Sequence, residues 1–172
     1  GATILLEKAG SFEMSSQLVD GLVKELEASK EFFDRATRAL VEEDSTFQPE
    51  EGMMSVSQQV AHVAMTLDWF VEGVTRPEGF DLDFDKHAAA IAKVNSLKAA
   101  REWLDKSHKG MVAAISKMSE AELYSPLPEE PVMGGAPRIA IVGAVNDHNA
   151  HHRGALSVYT RRLGKNPPMP YM

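Results

Sequence analysis

The sequence contains no cysteine. That excludes a disulfide framework, a thiolate nucleophile, a zinc finger and a cysteine-ligated iron–sulfur cluster. It also lacks any apolar run near the ~18–20 residues that cross a bilayer, so no membrane partner is expected. Positive charge is scarce: 18 Lys+Arg stand against 25 Asp+Glu, for a formal net charge of -7. Nucleic acid asks for Lys and Arg gathered on one face, so it is not expected as a partner. The first ten residues hold no basic segment leading into a long apolar one, and no signal peptide is expected there. Gly1 in place of Met reads as a processed or a recombinant start. A cytoplasmic location is compatible with the missing cysteine. The rest of the composition is ordinary. The chain has 172 residues, 44% of them hydrophobic, and is expected to form one domain over 1–172 around a single core.

Four long segments carry helical periodicity, and none alternates as a strand. The first runs from Ser15 to Glu43, with Leu18, Leu22, Leu26, Phe33, Ala36 and Leu40 along one face. The second follows a capping box, Ser55 with Gln58, and carries Val56, Val60, Val63, Leu67, Phe70 and Val74. Arg76-Pro77-Glu78-Gly79 ends it. A short helix is expected near Lys86–Lys93. Asn95 or Ser96 caps the third long helix, whose core side holds Leu97, Ala100, Trp103, Leu104, Met111, Ile115 and Met118. Ser119 and Glu122 offer another capping box for a single turn.

Tyr124 to Pro137 holds four Pro and two Gly in fourteen residues and reads as a long loop. The fourth long helix is expected to start at Pro137, reach Leu163 and stop at Gly164. Beyond it, the Pro-rich end of the chain cannot be helical and is expected to pack as an extended strap or stay mobile. The whole predicts an all-α fold: a four-helix bundle with a short extra helix and a long loop before the last helix. Periodicity does not say which helices are neighbours.

The six His are not spread evenly, since His148, His151 and His152 fall within five positions. His148 and His152 are spaced i, i+4, about 6 Å apart along a helix axis, so both can reach one metal ion. They also replace core residues in the stripe Ile141, Val145, His148, His152, Leu156, Tyr159 and Leu163. A buried imidazole needs partners for its nitrogens, and a metal with a hydrogen-bond acceptor behind the ring supplies them. Carboxylate partners at the core edge are the other reading. His151 lies ~100° around the helix and is expected on the flank.

The best third ligand is His62, roughly 120° from the centre of the second helix's stripe, beside Gln59, Thr66 and Trp69. Taken alone, His62 also reads as a helix-surface residue. Three ligands leave a coordination position open, as catalytic sites do. His87 and His108 have no companion and are expected at the surface. Asp147, Asn149, Arg153 and Trp69 are candidates to support the site from behind. A ferritin-like di-iron site is disfavoured because no Glu-x-x-His occurs, and a zincin because Asn149 follows His148. No phosphate-binding or nucleophile-elbow motif is found.

Three stretches together carry a family resemblance. They are Met54-Ser55-Val56-Ser57-Gln58-Gln59-Val60-Ala61-His62, then His148-x-x-x-His152-Arg153-Gly154, then Arg161-Arg162-Leu163-Gly164-Lys165-Asn166-Pro167-Pro168. Their order and spacing resemble the DinB-like (DNA-damage-inducible) superfamily of metal-binding four-helix bundles. The resemblance implies that His62, His148 and His152 hold a divalent metal ion, zinc or nickel, in a bundle of unusual helix order that frequently forms a homodimer. Some members are thiol transferases or thiol-dependent isomerases, so the resemblance further implies a metal-dependent transferase using a low-molecular-weight thiol cosubstrate; a metal-dependent hydrolase is the other enzymatic expectation. The alternative is a non-catalytic stress-response protein that binds metal or a small ligand. The small-molecule substrate and the catalytic groups are not implied. With no Cys in the chain, any reacting sulfur has to arrive with a substrate.

Overall fold

The computed structural model describes the backbone of residues 2–172 and the side chains of residues 17–172. Its helices are α1 (Ala2–Thr37), α2 (Val56–Thr75), α3 (Phe84–Ala92), α4 (Leu97–Ser116), α5 (Glu120–Tyr124) and α6 (Ala140–Arg162). A 3-10 turn, Glu42–Asp44, lies between α1 and α2. Among the described residues the only strand-like feature is one isolated bridge between Pro126 and Pro137. The fold is an all-α bundle.

The helix starts follow local chemistry. At α2 the Gln58 N–H donates to Ser55 Oγ at 3.2 Å, and the Ser55 N–H donates to Gln58 Oε1 at 2.9 Å. Ser119 and Glu122 make the same reciprocal pair at α5, with both bonds 3.2 Å. Ser96 caps α4 by accepting from the Ala99 N–H. Each bond satisfies a donor that the first helical turn leaves free. At the other end of the chain, α6 closes with Gly164 at φ 77°, while the Lys165 N–H reaches back to the Thr160 carbonyl. A residue with a Cβ is strained at that φ.

Two boundaries depart from the periodicity. The helix expected over Ser15–Glu43 begins at Ala2 and ends at Thr37. Its early end has a distant cause. The Arg101 guanidinium, on α4, donates to the carbonyls of Thr37 and Leu40 and to Thr37 Oγ1. Those carbonyls are satisfied without another helical turn. At the last helix, Pro137 precedes α6 by three residues instead of opening it. The Arg138 and Ile139 N–H groups donate to Ser125 and Leu123. The chain is thereby tied to the end of α5 before α6 begins.

The four long helices form a ring in which α1 packs on α4 and α6, and α2 packs on α4 and α6. α1 and α2 are therefore diagonal, and the connection between them crosses the bundle end. The expected stripes face inward: Leu26, Phe33 and Ala36 of α1 and Leu40 just beyond its end are buried, as are all six apolar positions named on α2. α3 packs against α2. α2 and α6 run antiparallel, because Tyr159 donates to the Met54 carbonyl at one end and Arg138 to the Val74 carbonyl at the other. This brings the middle of α2 opposite the middle of α6.

Candidate metal centre

His62 projects from α2, and His148 and His152 project from α6 one turn apart. All three reach the same seam. His148 Nε2 lies 3.1 Å from His62 Nε2 and 3.1 Å from His152 Nε2. One nitrogen from each ring falls within 4.8 Å of the others. Metal–nitrogen bonds of ~2.0–2.1 Å at a tetrahedral angle place ligand nitrogens about 3.3 Å apart. The spacing of these rings fits a single small divalent cation.

The protonation states fit as well. Burial pushes His148 down to about 4, with the His62 and His151 rings adding to the shift. Burial pushes His152 down to about 3, helped by His148, His62 and His151. His62 is lowered too, first by burial and then by His151. All three rings are neutral near pH 7, which is the form that coordinates metal. Gln59 then selects a tautomer. His152 Nδ1 lies 2.9 Å from Gln59 Oε1. A carboxamide oxygen only accepts, so Nδ1 carries the proton and the lone pair is on Nε2. That nitrogen is the one facing the other two rings.

Gln59 is the supporting residue that sequence reasoning named only as a neighbour of His62. Its signal was position: one turn before His62, on the same boundary of α2. Three of the four residues expected to support the triad do other work. Asp147 is exposed. Asn149 is buried but turns toward α1, donating to Ser29 Oγ at 3.0 Å. Arg153 stacks against the Phe32 and Tyr171 rings and donates to the Tyr171 hydroxyl. Arg35 also donates to the Pro170 carbonyl, so the chain end packs as a strap over α1 and α6. Trp69 comes nearest to the expected role. It donates to the Asp81 carbonyl and lines a cavity of about 220 Å³ that reaches His62 and His148.

The other His divide differently from expectation. His151 is exposed on the flank of α6. His108 is not at the surface: it is buried, and its Nε2–H donates to the Leu26 carbonyl at 3.0 Å. Its place in the apolar stripe, between Leu104 and Met111, carried that information. His87 is half-buried and shares two cavities with His62.

A family model of the DinB superfamily matches residues 25–156. That span holds four of the five helices from α2 to α6 in full, most of α6 and all three His of the seam. The chain belongs to the DinB superfamily. Two solved DinB-like proteins share its fold. One, from Bacillus cereus, superimposes with a TM-score of 0.69 at 17% identity, over 87% of this chain and 95% of its own. The other, YjoA from Bacillus subtilis, gives 0.64 at 14% identity, over 88% of this chain and 98% of its own. No curated protein sequence matches this one. Among the described residues of this DinB-superfamily chain, no helix is long and apolar enough to cross a membrane.

Proposed function

We propose that His62, His148 and His152 bind one divalent cation, zinc or nickel, and that the protein is a transferase joining a small thiol to an electrophile. The observation that carries this reading is the convergence of three neutral imidazole nitrogens beside a cleft. Three protein ligands leave a coordination position for a substrate. When bound, such a cation lowers the pKa of a coordinated thiol and so supplies a thiolate near neutral pH.

The chain's own residues do the rest. Gln59 fixes the His152 tautomer, and Trp69 and Phe70 wall the space next to His148. The sulfur forms a bond to the electrophilic carbon, the leaving group departs with its electron pair, and the thiol proton passes to solvent. No side-chain nucleophile is required, in keeping with a chain that has no Cys.

Metal analysis of protein prepared without a His-tag tests the site. About one divalent ion per chain is expected. It should be lost in His148→Ala and in His152→Ala and kept in His108→Ala. Retention in both of the first two variants would sink the triad. Turnover of thiol and electrophile mixtures tests the reaction. Product that forms equally with and without the bound ion would rule out a metal-dependent transferase.

A further inference from the structure

Two cavities meet at His62. The larger, about 400 Å³, runs between α2 and α3, with Met53, Met54, Met65, Phe84 and Ile91 among its walls. The smaller, about 220 Å³, lies on the Trp69 and Phe70 side and reaches His148. His62, Met65, Phe84 and His87 line both. They are two lobes of one cleft, divided by the Met65 and Phe84 side chains. Phe84 is 56% exposed, so its ring stands at the open side of the cleft.

The lining is mostly thioether, aromatic and aliphatic, with Gln58, Thr66 and the His rings as its polar members. Neither lobe has an Asp, Glu, Lys or Arg on its walls. Beyond reach of a cation at the triad, a carboxylate or phosphate buried in the lobes would lose its water and meet no Lys or Arg, which is strongly unfavourable. Thioether and aromatic walls instead suit an apolar body of variable shape, because Met side chains adjust to what they touch. The aromatic lobe is firmly built. Trp69 and Phe80 have ring centroids 4.6 Å apart, and Phe80 packs so closely on Gly73 that a Cβ there would meet its ring at 2.2 Å.

We infer that this cleft is the subsite for an uncharged, apolar electrophile, which lies between α2 and α3 and presents its reactive carbon at His62. Met65 and Phe84 set its width and act as specificity-determining residues. This inference rests on the triad being the metal centre. Charged groups of a thiol cosubstrate stay outside the lobes, in solvent.

Equilibrium dialysis with two probes of one shape tests it: neutral methoxynaphthalene and anionic naphthalenesulfonate, on metal-free protein. The neutral probe should bind at least roughly tenfold more tightly, since only the anion must be desolvated without a partner. Ala88→Glu places a charge on the exposed part of the wall, where the fold tolerates it. It should weaken the neutral probe by roughly tenfold while metal content stays at one per chain. With cobalt(II) in the triad, the bound probe's protons should relax faster than with zinc. Equal affinity for the two probes, indifference to Ala88→Glu, or no relaxation difference would each overturn the inference. A protein that binds no metal but keeps the preference for the neutral probe would overturn the triad and leave the cleft's selectivity standing.

Discussion

His108 lies in the seam between α4 and α1, and His152 lies in the seam between α6 and α2. Both are buried, and burial lowers the pKa of both. The resemblance stops there. His108 stands alone and donates to a backbone carbonyl of the facing helix. His152 donates its outer proton to Gln59 and turns its lone pair toward two other rings. The first arrangement is a satisfied core residue. The second leaves lone pairs aimed at a common point, with a cleft beside them. Burial and a lowered pKa therefore do not identify a site. Convergence of ring lone pairs, held from behind by an acceptor that fixes the tautomer, does.

The largest way to break this comparison is to exchange the losses. His152→Ala should abolish metal binding, while His108→Ala should keep the full metal content and lose stability. The cost at His108 is about 1–3 kcal/mol for the unpaired carbonyl and the cavity. Metal analysis and denaturant unfolding on the same two variants read both quantities. Metal loss in both, or in neither, would erase the distinction between the seams.

A smaller effect is expected behind the triad. Gln59→Ala removes the acceptor that holds His152 Nδ1–H. Metal affinity should fall about 10–100-fold with the ligands intact. Asn149→Ala should leave affinity unchanged, because Asn149 bonds Ser29 on the other side of α6. Competition titration with a chelator measures both.

pH separates the seams more gently. His108, His148 and His152 all have folded pKa values below the ~6.5 of the unfolded chain. Between those values the unfolded chain binds more protons, so stability is full above about pH 6.5 and falls as pH is lowered. A bound cation competes with protons at the triad but not at His108. The zinc-loaded protein should therefore hold its denaturant midpoint to lower pH than the metal-free protein. His108→Ala should flatten the remaining slope. An identical acid profile with and without zinc would contradict the assignment. The smallest change is expected at Arg153→Ala. It removes stacking on Tyr171 and Phe32 worth about 0.5–1 kcal/mol and should leave metal binding untouched.

Much of this molecule was legible where the signal is local. The Ser55–Gln58 and Ser119–Glu122 boxes, the Ser96 cap and Gly164 are each written within four residues. The apolar stripes gave the buried faces for the same reason. The end of α1 was not legible, because Arg101 comes from a helix far along the chain. The ring order was not legible either, since periodicity names a face and not its neighbour. Within the site, the i, i+4 spacing placed His148 and His152 together, and the boundary position of His62 made it available. Gln59 was missed because a Gln at a helix boundary more often meets solvent. His108 was misplaced by weighing its lack of a companion above its phase in the stripe.

The diagonal placement of α1 and α2 bears on how the chain acquires its structure in time. Neither helix can bury its stripe by folding back on the other. α2 packs most extensively on α4, the next long helix, across the connection that holds the nine-residue α3. α1, by contrast, waits for α4 and above all for α6 at the far end of the chain, so loop closure over a long separation precedes the burial of its stripe. Folding should then be slower than in a bundle of successive helical hairpins. His62 is separated from His148 by 86 residues. Chelation thus cannot begin with a helix or a hairpin. A bound cation marks a chain whose two halves have already interleaved.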